Sequence, residues 1–255
     1  VQRITKSIAA SAEEWGISPR VAWMLALLPI IGAAAILMTY ASRPLYRFVT
    51  KEDGPIEWAQ FLCYVGTFVA STFIAYKRIK AGHVWQALIF AGFAFANLFI
   101  AGEEIAWGQR IFNIETPDTL KEINAQGEIT VHNIGRIQDV FNLVMFLAAG
   151  YGVIAYFANK QIQMERFWDK ANYLLAPPLF LVPSFLVAFA YKLIRYTVVR
   201  TPGFTVTRYA ELAELCLAFG FFVFTWMNYR RLADKAAAPA PSVLQDAKLS
   251  DNVIS

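Results

Sequence analysis

The sequence predicts an all-α fold, a polytopic transmembrane helical bundle of about six spans. Three observations support this. The chain is 57% hydrophobic and 16% charged, with mean hydropathy +0.43; soluble domains are about 45–50% apolar and about 25% charged. The apolar excess falls in blocks of about 20 residues, the length that crosses a bilayer core as a helix. Within the blocks hydrophobicity does not alternate every second residue, as the strands of a membrane β-barrel require.

The blocks lie at about 21–42, 56–76, 84–107, 138–158, 173–193 and 209–228. They divide the chain into an N-terminal interfacial segment (1–20), a six-span membrane domain (21–233) and a tail (234–255) expected to be disordered. In the first segment Ile4, Ile8, Ala12 and Trp15 fall near one helical face, the pattern of a short helix lying on the membrane. The first block is long and preceded by 20 residues, so it reads as a retained span. Ser18-Pro19 supplies an N-cap and a first-turn proline to open it. Gly54-Pro55 opens the second span in the same way. Pro177, Pro178 and Pro183 interrupt the fifth and predict a kink. Cys63 and Cys216 lie within spans and read as small apolar packing residues. The tail is small, polar and proline-containing.

Six spans place the 43–55, 108–137 and 194–208 loops on one face and both termini on the other. Lysine and arginine divide 10 to 13 in favour of the terminal face, which sets the termini on the cytoplasmic side. Of the 19 acids, 12 belong to the opposite face. They include Glu57 at the start of span two, Glu103 and Glu104 at the end of span three, Asp139 at the start of span four, and Glu211 and Glu214 at the start of span six. Ionisable groups at such depth are costly unless paired, hydrated or bound to a cation, so they mark candidate function.

Glu211 and Glu214 share a helical face. Glu128 and His132 would share one in a helix or a strand. Glu103 and Glu104 are about 100° apart on a helix, so one can face the bundle while the other takes a partner such as Arg110 or a backbone donor. Glu103, Glu104, Arg110 and His132 are the candidate catalytic residues. Glu104, Glu128, His132, Glu211 and Glu214 are the candidate ligands of a divalent metal ion, because carboxylate-rich sites suit hard cations and one imidazole admits iron or zinc. The Glu-x-x-His pairs of helical di-iron proteins are absent, and His83, the other histidine, lies at the opposite face. An alternative gives the acids to ion-pair networks with Arg110, Arg136, Lys192, Arg195, Arg200 and Arg208. Helix-starting acids also suit the macrodipole, though this does not apply to Glu103 and Glu104. Basic residues are too dispersed for a nucleic-acid interface. No nucleophile elbow, Walker loop, zinc-protease helix or dinucleotide fingerprint is found. The polar 124–133 segment reads as a loop capping the site.

The run Gly102-Glu103-Glu104-Ile105-Ala106-Trp107-Gly108-Gln109-Arg110 is followed by Thr116-Pro117-Asp118, Gln126-Gly127-Glu128 and His132-Asn133. This succession resembles the signature of a group of uncharacterised bacterial multi-span membrane proteins. Ala106 stands where that group carries serine, and Val131 where it carries leucine. The resemblance spans residues 102–133 and implies a bacterial inner-membrane, multi-pass protein without implying an activity. Three function classes follow. The first is an enzyme acting on a lipid or isoprenoid, with Glu103, Glu104, Glu128 and His132 holding a cation or serving as acid and base. The second is a non-catalytic subunit that packs on other subunits of a respiratory or photosynthetic complex. The third is an ion- or proton-coupled transporter using the carboxylates as a relay. Membrane lipids are partners in all three.

Overall fold

The computed structural model describes residues 2–51, 54–109, 111–124, 127–162, 174–199 and 201–237. The helices are α1 (Gln2–Glu14), α2 (Pro19–Thr39), α3 (Arg43–Thr50), α4 (Pro55–Lys80), α5 (Val84–Glu104), α6 (Asp118–Ile123), α7 (Gly135–Ile162), α8 (Val182–Thr197), α9 (Phe204–Arg208) and α10 (Ala210–Ala237). No β-strand occurs among the described residues. Six helices are long and apolar enough to cross a membrane: α2, α4, α5, α7, α8 with the short turn before it, and α10 with α9. The chain is thus a helical, polytopic membrane protein.

Local chemistry sets the helix boundaries. Ser18 Oγ accepts from the Val21 amide (3.3 Å) at the start of α2, with Pro19 in the first turn. Gly54 precedes Pro55 at the start of α4. The fifth span corrects the sequence reading. It runs from Leu179 to Thr197 rather than over 173–193, and the prolines do not kink it. Pro177 and Pro178 precede it, and Pro183 occupies the first turn of α8, where its missing N–H costs no helical hydrogen bond. The tail from 238 onward lies outside the described residues.

α4 packs against both α5 and α10; α10 packs in turn on α8, and α8 on α7. α2 lies behind α8 and α10, and α1 lies against α2. In α1, Ile8, Ala12 and Trp15 are buried as the face pattern anticipates, while Ile4 stays exposed. Buried Ser11 belongs to the same contact, its hydroxyl accepting from the Leu179 amide (3.2 Å). Arg231 of α10 sits over the Trp15 ring at 4.7 Å. The apolar core centres on Phe185, whose ring fills the space left by two missing side chains. A Cβ on Gly152 of α7 would stand 2.2 Å from this ring, and one on Gly220 of α10 would stand 2.9 Å away.

This packing predicts opposite outcomes for two glycine-to-alanine changes. Alanine favours a helix interior by about 1 kcal/mol over glycine, so Gly32→Ala, with open space around it, should be neutral or stabilising in thermal unfolding of the detergent-solubilised protein. Gly152→Ala should destabilise by about 1–3 kcal/mol, because the buried Phe185 ring has no room to withdraw.

Candidate active-site chamber

The end of α5 is built around one carboxylate. Glu103 is 3% exposed. Its Oε1 accepts from Trp107 Nε1 at 2.6 Å. Its Oε2 accepts from the backbone amides of Val131 and His132, both at 2.8 Å, and meets His132 Nδ1 at 2.9 Å. To bring its indole back, the chain leaves the helix through three left-handed residues: Ala106 (φ 45°), Trp107 (φ 54°) and Gly108 (φ 78°). The two non-glycine residues cost roughly 1–2 kcal/mol each in that conformation. Four hydrogen bonds to a charged acceptor, each worth about 1.5–3 kcal/mol, outweigh that cost. Gly102 is required for the same closure, since a Cβ there would lie 2.8 Å from the Trp107 ring.

The knot extends through Gln109. Its amide nitrogen donates to Thr116 Oγ1, and its Oε1 accepts from the Ile129 amide at 2.9 Å. Asn124 Nδ2 donates to the Thr130 carbonyl at 2.5 Å and Asn133 Nδ2 to Thr130 Oγ1 at 3.2 Å. Residues 127–133 form bends and turns, the loop that the polar segment predicts, so no helix or strand aligns Glu128 with His132. Gly102, Glu103, Trp107, Gly108, Gln109, Thr116 and His132, all within the signature run, thus form one continuous structural assembly.

Beneath this loop lies a polar chamber of about 680 Å³. Its walls come from five long helices. α4 contributes Glu57; α5 contributes Ile100, Glu103 and Glu104; α7 contributes Phe141, Asn142 and Met145; α8 contributes Tyr191, Lys192 and Arg195; α10 contributes Glu211 and Glu214. Glu128, His132 and Asn133 of the loop complete the lining, and Gln138, Asp139, Pro202 and Thr207 form its rim. Acids of four helices thus line one pocket, Glu57, Glu103, Glu104, Asp139, Glu211 and Glu214 among them.

Their partners differ. Lys192 is buried, and its Nζ donates to Glu214 Oε1 at 2.8 Å and to Asn142 Oδ1 at 2.7 Å, tying α7, α8 and α10 together. Gln60 Nε2 donates to the Glu211 carbonyl at 2.5 Å. Glu104 turns the other way from Glu103. It faces the charges of Glu214, Glu211 and Glu57. Among the described residues it forms no hydrogen bond or ion pair.

The candidate residues therefore separate. Glu103 and His132 are engaged with each other and with the loop backbone. Glu104, Glu211 and Glu214 share the chamber, with Glu128 on its wall. Arg110 lies outside the described residues, as do Ala125, Gln126 and Arg200. The proposed metal set of Glu104, Glu128, His132, Glu211 and Glu214 needs correction: among the described residues no three His, Cys, Asp or Glu side chains converge as ligands. The reasons are local. Glu214 is taken by Lys192, and no regular element aligns Glu128 with His132. Sequence reasoning assigned Lys192 only to a general ion-pair network, and it missed Asn142, Tyr191 and Gln60. The available signal was the run of Gln60, Tyr64, Thr67 and Ser71 on one face of α4 at steps of four, three and four.

Fold and site together define a polytopic helical membrane protein with a polar chamber at one end of its helices. No family model, curated protein or solved structure matches the chain.

Removing one half of the Lys192–Glu214 pair should be worse than removing both. Lys192→Met leaves Glu214 without its cation and should cost about 3 kcal/mol, the low end for a broken buried pair, because the Glu214 side chain is 23% exposed. Adding Glu214→Leu should recover most of that loss in the same unfolding assay. A double variant as unstable as the sum of the singles would contradict the pairing.

Proposed function

We propose that this protein is a membrane-embedded enzyme acting on the polar head of a lipid or isoprenoid, with Glu104 as its acid–base group. The observation that carries the reading is the chamber itself. A pocket of about 680 Å³ is large enough for the head of an amphiphile, while the surrounding helices present apolar surface to its tail. Within it Glu104 lies on a helix wall and has no hydrogen-bond partner among the described residues; Asp139, the other such carboxylate, sits on the exposed rim. A general acid or base must be available to a reacting group in this way. Lys192, Arg195 and Arg208 line the same space and supply positive charge for an anionic part of the head. The Lys192–Glu214–Asn142 contact fixes the wall against which the head would rest. The geometry supports acid–base work over a metal-assisted step, since no three candidate ligands converge among the described residues. The resemblance of residues 102–133 to bacterial membrane proteins, with the small excess of basic residues on the terminal face, supports a bacterial inner-membrane location with cytoplasmic termini.

The test is native mass spectrometry, with lipid analysis, of protein mildly extracted from its own membrane. A single chain or simple oligomer should retain one class of amphiphile. Glu104→Gln should retain a chemically different, unconverted member of that class. Bound lipid that mirrors the bulk membrane and is unchanged by Glu104→Gln would contradict the enzyme. Recovery only within a larger particle would instead support the complex-subunit reading.

A further inference from the structure

We propose that a gated proton path runs through the α4–α5–α10 interface, joining the chamber to the opposite membrane face. The interface is polar where a membrane bundle should be apolar. On α4, Gln60, Tyr64, Thr67 and Ser71 are completely buried and fall on one helical face at steps of four, three and four. On α5, Asn97 is buried two turns from Glu104. On α10, Thr225 and Asn228 are completely buried below Glu211 and Glu214.

Contacts between the helices set the depth of each group. At the chamber, Gln60 meets Glu211. One turn deeper, Tyr64 packs with Ala101 and Ala218. Ile74 then packs with Phe90, Leu174 and Leu232. At the far face the Arg78 Nε donates to Gln86 Oε1 at 2.5 Å, and Lys77 Nζ reaches the Leu232 carbonyl at 3.5 Å. Thr67, Ser71, Asn97, Thr225 and Asn228 lie between the Tyr64 and Ile74 levels. From Gln86 to Glu104 the helix rises about 27 Å, close to the roughly 30 Å of a bilayer core.

Six atoms in this column are buried without a hydrogen-bond partner: Gln60 Oε1, the Tyr64 hydroxyl, Ser71 Oγ, Asn97 Oδ1, and both amide atoms of Asn228. Interhelical bonds would explain buried amides and hydroxyls, but these atoms make none. Dry burial of so many is strongly unfavourable where no bulk solvent can reach. In this packing these atoms are closed to water, so they gain partners only when the helices part and water enters, where each side chain offers polar partners to a water molecule. Uncharged amides and hydroxyls both donate and accept, so a water chain along them passes a proton by relay while offering a larger cation no fixed countercharge. At its upper end the chain passes from Tyr64 to Gln60, whose amide nitrogen meets the Glu211 carbonyl and carboxylate. At the other end, Ile74, Phe90, Leu174 and Leu232 form an apolar plug between the column and the Arg78–Gln86 pair. The path is therefore shut at rest, and protons pass only when the plug parts. A proton released from water at the terminal face would arrive at the Glu211 carboxylate, which Gln60 touches. This inference stands whether or not the chamber turns over a substrate.

The test reconstitutes the full chain in liposomes with a trapped pH dye and imposes a potassium–valinomycin potential. Wild type should leak protons barely above empty liposomes. Ile74→Ala or Leu232→Ala should raise the proton rate at least tenfold. Adding Asn228→Leu to either should return the rate to baseline, and adding Asn228→Ser should not. Size-exclusion profiles and melting curves confirm that each variant is folded before its rate is read. Flux that survives Asn228→Leu, no flux from either folded plug variant, or equal passage of sodium in a parallel dye assay would each overturn the proton path.

Discussion

The structure at this end of the bundle depends on the carboxylate of Glu103. A negative charge in the last turn of a helix opposes the macrodipole, and a membrane-depth carboxylate is costly unless its lone pairs are used. Four donors use them here: one indole, one imidazole and two backbone amides. The indole can reach the carboxylate only if the chain reverses through Ala106, Trp107 and Gly108 in left-handed conformations. The amides can reach it only if residues 127–133 return over the helix end. A single charge therefore fixes both the reversal and the loop, and the loop carries Glu128, His132 and Asn133 onto the chamber.

Two adjacent glutamates thus acquire opposite roles from their 100° separation on a helix. Glu103 points toward donors supplied by its own loop. Glu104 points inward, toward the acids of α4 and α10 and the buried polar column between the helices. The chamber balances this negative charge partly with Lys192, which is itself held by Glu214 and Asn142. The result is a helix wall on which, among the described residues, Glu104 has no hydrogen-bond partner. That division of a structural acid from an available one is what makes the chamber suited to proton chemistry.

Much of the fold was legible in the sequence because a bilayer imposes length and composition on any helix that crosses it. The blocks at 21–42, 56–76, 84–107 and 138–158 correspond to α2, α4, α5 and α7, and Ser18 and Gly54-Pro55 mark real helix starts. The fifth span was displaced because hydropathy counts Leu174 to Phe180 as apolar whatever their backbone, while three prolines set where a helix can begin. The clustering of acids on one face was legible from span alternation alone. The metal set was not, because the pairing of Glu103 with His132 depends on the conformation of an irregular loop, and no periodicity encodes that. The polar column was present in the spacing of Gln60, Tyr64, Thr67 and Ser71, but averaged hydropathy hides single polar residues within an apolar helix.

The most direct measurement compares Glu103→Gln with Glu104→Gln in thermal unfolding of the detergent-solubilised protein. A glutamine at 103 keeps the shape but replaces one acceptor oxygen with a donor, facing groups that already donate. The structure predicts a loss of about 3 kcal/mol or more there. A glutamine at 104 matches the uncharged acid in size and places no negative charge beside Glu57, Glu211 and Glu214, so stability should stay level or rise. Equal destabilisation by both changes, or a larger loss at Glu104, would contradict the assignment of Glu103 as the structural acid and Glu104 as the available one.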